Sequence, residues 1–295
     1  MVIWVALKQP QERTKVTITY NLVLREIKKL SFVRIKVLLG RERLRFSQET
    51  IAKYLFLITK HQQRLVNYKT LYKEEKPDCS YQNFIKNINL MSRLMQPLFY
   101  QFNRQYGVIP SEDYNSIDTT IIEEKSQKSI NKKDWNRKRV TTRNGLHYCG
   151  SKGLFFLNQH GFITRADRID INQSDHNILK EIRYYSAYLR GNVLADRGFS
   201  SKLVRKRFVD ANNDHYQPLF YPCKLISPYK KLSKEQLSPE EKLLYKNRWQ
   251  IETLFQRMKD IYGVSRLLLK GKYTEQHKQA KFYASAILYN LSVAG

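Results

Sequence analysis

Apolar residues recur every three to four positions along much of the first 110 residues, which is the spacing of one face of an α-helix. The pattern predicts helices over Tyr20 to Leu39, Gln48 to Lys60 and Tyr81 to Tyr106, with Ser47 as the N-cap of the second. The first 20 residues alternate as a strand does, and their place in the fold stays open. The helices fit either a helix-turn-helix or a bundle that positions the rest of the chain.

Beyond residue 110 the pattern mixes the two-residue alternation of strands with helical stretches. Strands are predicted at residues 114–122, 146–158, 162–171, 192–195 and 217–224, the second and third forming a hairpin. Helices are predicted at residues 175–189, 201–211, 239–262 and 275–293, and the basic segment 125–143 is predicted to be a loop. This order predicts a mixed α/β fold, a sheet flanked by helices. We expect two domains, residues 1–110 and residues 111–295.

The chain is strongly basic, with 53 Lys+Arg against 26 Asp+Glu and a formal net charge of +27. The excess is spread almost evenly over the two predicted domains, so a polyanionic partner should contact both. A basic surface without a partner is the weaker alternative. No apolar run reaches the length of a membrane span, and the apolar first seven residues lack the features of a signal peptide. Three widely spaced cysteines argue against a disulfide framework or a zinc site and fit a reducing cytoplasm.

Three acidic residues stand out by their positions. Asp118 lies within a predicted strand, Asp196 ends another, and Glu252 lies in a predicted helix. Carboxylates at strand ends can converge at one edge of an α/β sheet, and their oxygens suit Mg²⁺ or Mn²⁺. Taken singly, the three also fit an edge-strand polar residue, a turn former and an exposed helix residue.

The predicted helix around Glu252 carries a stripe of polar side chains. Tyr245, Arg248, Glu252 and Lys259 fall within an arc of about 60° on one face of a helix. Such a stripe fits a metal-binding carboxylate flanked by cations that hold phosphates. An exposed ion pair between Arg248 and Glu252 is the simpler alternative. Trp249 is expected in the core, with base stacking as the alternative.

These residues resemble the signature of DDE transposases of bacterial insertion sequences. The order Asp118, Asp196, Glu252 matches, as does the spacing Tyr245-x2-Arg248-x3-Glu252-x6-Lys259. The segment Ala195-Asp196-Arg197-Gly198-Phe199 resembles the family's Ala-Asp-Lys-Gly-Tyr motif. Ile117-Asp118-Thr119 resembles its Ile-Asp-Ser motif, and Tyr148-Cys149-Gly150-Ser151-Lys152 its Tyr-Gly-x-Lys strand.

The resemblance implies a ribonuclease-H-like fold over 111–295, with Asp118 on the first strand, Asp196 on the fourth and Glu252 on a later helix. It also implies that this triad holds two Mg²⁺ ions, with Mn²⁺ as a substitute, and catalyses DNA cleavage and strand transfer. The interval between Asp196 and Glu252 has room for a strand and two helices but none for a large all-β insertion. The residues expected to contact DNA are Tyr245, Arg248, Lys259, Lys152, Arg137, Lys138 and Arg139.

The partners that the resemblance implies are double-stranded DNA, as terminal inverted repeats and target DNA, and a second copy of the chain. The protein would act in the cytoplasm on chromosomal or plasmid DNA. Two alternatives stay open: a ribonuclease-H-like nuclease without strand transfer, and a non-catalytic DNA-binding protein such as a decayed transposase. Asp175 is interpreted only as the start of a helix. The six histidines show no metal-ligand spacing, and no glycine-rich phosphate loop is present.

Overall fold

The computed structural model describes the chain in segments that include most of its second half. The segments are residues 20–29, 47–60, 69, 72–73, 77, 79–213, 221–229, 236–264 and 274–294. The helices in them are α1 Tyr20–Lys28, α2 Gln48–Lys60, α3 Tyr81–Gln105, α4 Lys132–Asn136, α5 Asp175–Ile178, α6 Lys202–Asn212, α7 Pro239–Tyr245, α8 Trp249–Asp260 and α9 Thr274–Ala294. The strands are β1 Tyr114–Lys125, β2 Val140–Arg143, β3 Leu146–Asn158, β4 Ile163–Asp170, β5 Gly191–Ala195 and β6 Cys223–Ile226. Short 3₁₀ helices cover Gln127–Ser129, Leu179–Tyr188, Arg197–Phe199 and Lys246–Arg248.

The six strands form one mixed sheet in the order β2-β3-β1-β5-β6, and β4 also pairs with β3. The pairs β1–β3, β2–β3 and β3–β4 are antiparallel, whereas β5 runs parallel to both β1 and β6. Alternate residues of β1 face opposite sides of this sheet, as the two-residue period requires. Ile117 therefore belongs to one apolar core and Ile122 to the other.

Each face of the sheet is covered by helices. One core packs α2, α3, α8 and α9 against residues such as Ile122 and Phe155. The other core packs the segment 178–189 and α6 against residues such as Leu154 and Val193. This layering, with the strand order above, is the mixed α/β arrangement of a ribonuclease-H-like domain, as predicted.

The N-terminal helices of the described segments pack on this same assembly. Helix α3 lies along α9, and Asn290 Nδ2 donates to Asn103 Oδ1 at 2.9 Å between them. The Asn290 side chain also accepts from the backbone of Ile163 at 2.8 Å, which attaches the helix pair to β4. The N-terminal region is helical as predicted, and the domain boundary at residue 110 stays a prediction.

Several predicted elements need correction. The segment 125–143 is not a loop, because it contains a 3₁₀ turn, α4 and β2. Asn131 and Asp134 form a capping box that starts α4, and Val140 is buried where β2 pairs with β3. Because β2 adds a strand, Asp196 follows the fifth strand rather than lying on the fourth. The helix predicted from Asp175 is an α-helical turn followed by a 3₁₀ segment.

Other predictions agree with the structure within the described residues. Ser47 accepts a hydrogen bond from the backbone of Thr50 at 3.1 Å and caps α2, and Ser201 caps α6 in the same way. Between Asp196 and Glu252 the described residues form α6, β6 and α7, as the spacing predicted. Two predictions differ in their bounds: the first helix ends at Lys28, and the last strand begins at Cys223. Residues 30–39, the first 19 residues and residues 217–220 of the last predicted strand lie outside the described residues.

The three cysteines are free thiols: Cys149 and Cys223 are buried and Cys79 is half-buried. In the described part of the chain, no helix is both long enough and apolar enough to cross a membrane.

Candidate active site

Asp118 and Asp196 lie side by side because β1 and β5 are paired in parallel. The last residues in that pairing are Ile117 and Ala195, so Asp118 is the next residue of β1 and Asp196 is the first residue after β5. Neighbouring strands lie about 4.8 Å apart. Asp118 is buried, and its Oδ1 accepts from the backbone of Thr119 at 2.7 Å. Asp196 Oδ1 accepts from the backbone of Gly198 at 2.7 Å, which begins the 3₁₀ turn after β5.

Arg248 joins the helical stripe to the sheet. Its guanidinium donates one hydrogen bond to Asp118 Oδ2 and another, at 2.7 Å, to Glu252 Oε1. The side chain of Arg248 is 15% exposed, whereas that of Glu252 is 63% exposed. The Arg248–Glu252 ion pair that was the simpler alternative is therefore present, but it is one half of a bridge between two carboxylates.

The electrostatics place the two aspartates, Tyr245 and Arg248 in one cluster. Burial raises the pKa of Asp118 to about 6; the attraction of Arg248 opposes this rise and repulsion from Asp196 adds to it. Burial also raises the pKa of Tyr245, and Asp196, Asp118 and Glu252 add to that shift. Burial alone would lower the pKa of Arg248, but the carboxylate of Asp118 leads a set of charges that raise it. The positive charge of Arg248 thus partly offsets the repulsion between the carboxylates.

The donor set fits a divalent cation in its chemistry. Asp118 and Asp196 offer carboxylate oxygens, the ligands that Mg²⁺ and Mn²⁺ prefer. The buried Nε of Arg248 makes no hydrogen bond to the described residues. Glu252 is turned toward Arg248, and among the described residues no three His, Cys, Asp or Glu side chains are grouped closely enough to hold a metal. The structure brings together two of the three predicted ligands, with Arg248 between them and the third.

The stripe that carries Tyr245, Arg248, Glu252 and Lys259 is not one uninterrupted α-helix. Helix α7 and helix α8 are joined by the 3₁₀ turn Lys246–Arg248. The backbone dihedrals of Tyr245 and Arg248 are right-handed helical, so the axis continues through the turn and the stripe stays on one side. Helix α8 buries Ile251, Leu254 and Met258 in the core, which leaves Glu252 and Lys259 exposed.

Lys259 forms one wall of a groove of about 430 Å³ beside the carboxylates. Arg143 and Tyr148 of the β2–β3 hairpin and residues of β1 just beyond Asp118 also line it. The full lining is Thr120, Ile121, Glu123, Arg143, Asn144, Tyr148 and Lys259. The groove therefore starts within a few residues of Asp118 and carries two cations and an aromatic ring.

The remaining predicted DNA contacts separate into two classes. Arg137 and Lys138 are exposed at the end of α4, whereas Arg139 pairs with the buried carboxylate of Glu124 at 2.6 Å. Lys152 pairs with Asp175 at 3.1 Å and donates to the carbonyl of Gln173 at 2.9 Å. Arg139 and Lys152 are thus held in ion pairs with other residues of the protein. Of these four cations, only Arg137 and Lys138 are exposed.

Two residues near the site were missed by the sequence analysis. Trp249 is 57% exposed beside Arg248, so the expectation of a core tryptophan is wrong. On a helix, Trp249 points in a different direction from Ile251, which is buried, and this spacing could have predicted that Trp249 is exposed. Asp175 does begin α5, but its side chain also contacts Thr119, the residue after Asp118, at 3.0 Å.

Comparison with known proteins gives one result, a family match over about three fifths of the chain. Residues 111–291 match the family model described as "Transposase DDE domain". No curated protein matches the chain, and no solved structure matches it.

Proposed function

We propose, from the premise that this chain belongs to the DDE transposase domain family, that it cuts DNA at the ends of an insertion sequence and joins the freed ends to target DNA. The observation that carries the proposal is the juxtaposition of Asp118 on β1 and Asp196 at the end of the parallel strand β5, with Arg248 linking Asp118 to Glu252. The chain would do this in the cytoplasm, on chromosomal or plasmid DNA, with a second copy holding the other end.

Asp118, Asp196 and Glu252 are the proposed ligands of two Mg²⁺ ions, with Mn²⁺ as a substitute. When bound, such ions activate the attacking oxygen and stabilise the leaving oxygen of a phosphoryl transfer. Glu252 is mostly exposed on α8, so its side chain is free to turn from Arg248 toward the aspartates. The buried position of Asp118 and its fixed Oδ1 keep that carboxylate preorganised for the role.

Arg248 is proposed to hold the phosphate next to the cut. Its guanidinium already lies between the carboxylates, and a bidentate arginine suits a phosphate as well as it suits a carboxylate. Tyr245 lies in the same electrostatic cluster and would hold the strand in line by its hydroxyl. Both residues contribute orientation of the DNA rather than proton transfer.

The groove beside Lys259 is the proposed path of the DNA strand leaving the cut. Lys259 and Arg143 would pair with backbone phosphates and Tyr148 would contact a base or sugar. Arg137 and Lys138 at the end of α4, and the exposed ring of Trp249, are proposed as further contacts. Lys152 and Arg139 are better explained as internal ion-pair partners.

The second candidate is a nuclease of the same fold that cuts without joining. The site chemistry is common to both reactions, so a product analysis must separate them. The protein is incubated with Mg²⁺ and a duplex that carries the inverted repeats flanking its gene. Cut ends joined to a target plasmid are expected; cut ends without joined products would favour the nuclease, and an uncut duplex in Mg²⁺ and Mn²⁺ would favour a non-catalytic DNA-binding protein.

The matched variant for this experiment is Glu252→Gln, which keeps the size of the side chain and removes its charge. Cleavage should be lost while affinity for the duplex stays within about twofold, because the residue is a ligand and not a DNA contact. Unchanged cleavage would refute the assignment of Glu252. A gel-shift measurement in EDTA gives the affinity separately from the reaction.

A further inference from the structure

A fourth carboxylate, Asp175, lies against the turn that carries Asp196. Oδ1 of Asp175 accepts from the hydroxyl of Thr119 at 3.0 Å and from Lys152 Nζ at 3.1 Å. Lys152 also donates to the carbonyl of Gln173 at 2.9 Å, so the ammonium is attached to the segment that leads into α5. Asp175 is thereby tied to β1 and β3 through a single oxygen.

The other oxygen of Asp175 faces the Asp196 turn. A Cβ atom at Gly198 would lie 2.9 Å from Asp175 Oδ2 and 2.9 Å from Asp196 Oδ1. Both carboxylate oxygens therefore lie close to the same point, and glycine is the residue that leaves this space open. Asp196 Oδ1 is in turn held by the backbone of Gly198.

The two faces of β1 explain how Asp175 reaches the site. Asp118 faces α8, where Arg248 contacts it, while its neighbour Thr119 faces the opposite side of the sheet and contacts Asp175. Strand β5 ends at Ala195, so beyond that residue the edge of β1 is no longer covered by β5. Asp196 lies at this edge, between the Arg248–Asp118 contact on one side of the sheet and the Asp175–Thr119 contact on the other.

We propose that Asp175 is a positioning residue for Asp196, and that its charge strengthens cation binding by the Asp118–Asp196 pair. This inference rests on the proposed function. Thr119 and Lys152 hold Oδ1 of the Asp175 carboxylate. Its Oδ2 lies beside the Asp196 turn, where a fixed negative charge favours a divalent cation on the Asp196 carboxylate. Groups behind the direct ligands commonly change metal affinity or activity by about 10–100-fold.

A purely structural role for Asp175 predicts something different. Loss of the half-buried Lys152 ion pair would then lower the melting temperature and leave cation affinity unchanged. Asp134 offers a matched control, since it too pairs with a lysine, Lys125, at 2.6 Å. Lys125 ends β1 seven residues from Asp118, which is about 23 Å along a strand.

The test is Mn²⁺ binding by the full-length protein, followed by electron paramagnetic resonance with and without a duplex, together with the melting temperature of each variant. Asp175→Asn keeps the side-chain volume and should weaken the Asp118-dependent Mn²⁺ site about 10–100-fold. Asp134→Asn should lower the melting temperature and leave that site unchanged. Thr119→Val removes the hydroxyl that contacts Asp175 and nearly keeps the shape of the side chain. It should also weaken the Asp118-dependent Mn²⁺ site, and it gives a result even if Asp175→Asn does not fold.

Unchanged Mn²⁺ affinity in folded Asp175→Asn or in Thr119→Val would overturn the inference. The proposed function would still be supported in that case if the wild-type protein binds Mn²⁺ and Asp118→Asn abolishes the binding. If the wild-type protein shows no Asp118-dependent Mn²⁺ site with or without DNA, the metal chemistry of the proposed function fails, and this inference fails with it.

Discussion

Arg248 donates a hydrogen bond to the carboxylate of Asp118, although 130 positions of sequence separate the two residues. The same guanidinium holds Glu252 at 2.7 Å, so one cation links a buried carboxylate of the sheet to an exposed one on α8. Lysine cannot reproduce this arrangement, because an ammonium is a point charge without the planar fork of a guanidinium.

We therefore expect Arg248→Lys to slow DNA cleavage by at least about tenfold at saturating Mg²⁺. Single-turnover cleavage of a labelled duplex measures the change. Arg257→Lys is the control, since Arg257 is a half-buried arginine on α8, the helix that follows Arg248, and makes no contact with the carboxylates among the described residues. Equal rates for the two variants would show that the fork of Arg248 has no part in the reaction.

Asp118 should make stability depend on pH in a defined direction. Its burial raises its pKa from 3.8 to about 6, with Arg248 opposing and Asp196 adding to the rise. The folded protein then holds this proton more tightly than the unfolded chain does. The stabilisation is complete below about pH 4 and is lost as the pH rises through 6, an effect of about 2–3 kcal/mol.

Asp118→Asn removes this titration. Between pH 4 and pH 7 the free energy of unfolding of the metal-free variant should therefore rise relative to that of the wild type by about 2–3 kcal/mol. Urea denaturation of both proteins at the two pH values, in EDTA, measures the difference. Parallel pH profiles would contradict the buried, crowded environment of Asp118. Cleavage by the wild type should also decline below about pH 6, because a metal ligand must be ionised.

Glu124 is the centre of an internal ion network on the far part of β1. Its carboxylate is almost fully buried and contacts Lys278 at 2.7 Å, Arg139 at 2.6 Å and Arg168 at 3.3 Å. Ser151 donates to it at 2.6 Å. These partners come from α9, from β3 and β4, and from the segment that follows α4.

Glu124→Gln removes the buried anion of this network and leaves the three cations only the more exposed carboxylate of Glu275. The free energy of unfolding should fall by up to about 3–5 kcal/mol. Glu112→Gln is the control, because the Glu112 side chain, which pairs with Arg190, is 78% exposed and its loss should cost less than about 1 kcal/mol. Denaturation midpoints of both variants at pH 7 measure the difference. Similar small losses would mean that the network contributes little to stability.

Gly198→Ala tests the close approach at the Asp196 turn. The added methyl group would lie 2.9 Å from an oxygen of each of two carboxylates, so at least one of them must move. We expect cleavage to fall about tenfold or more, as for a displaced catalytic group, while the melting temperature changes little. The measurement pairs single-turnover cleavage with thermal denaturation. Full activity in the alanine variant would show that the turn tolerates the shift.

Short elements and long-range partners were the parts that the sequence did not reveal. The capping box of Asn131 and Asp134 and the brief strand at Val140 lie within a basic segment that lacks a long apolar pattern, so it resembled a loop. Arg139 and Lys152 resembled surface cations because their partners, Glu124 and Asp175, are distant from them in the sequence. Trp249 showed the reverse error, an aromatic residue expected inside that lies outside.

The sequence by itself determined the main helices and strands, the order Asp118, Asp196, Glu252, and the stripe that joins Tyr245 to Lys259, because periodicity and capping are encoded over a few neighbouring residues. Only the tertiary structure decided that Asp118 lies beside Asp196, that Arg248 spans two carboxylates, and that Asp175 contacts the site. The physical reason is that strand register and burial select which charges meet, and ion pairs form between groups that are close in space, however far apart they are in the chain.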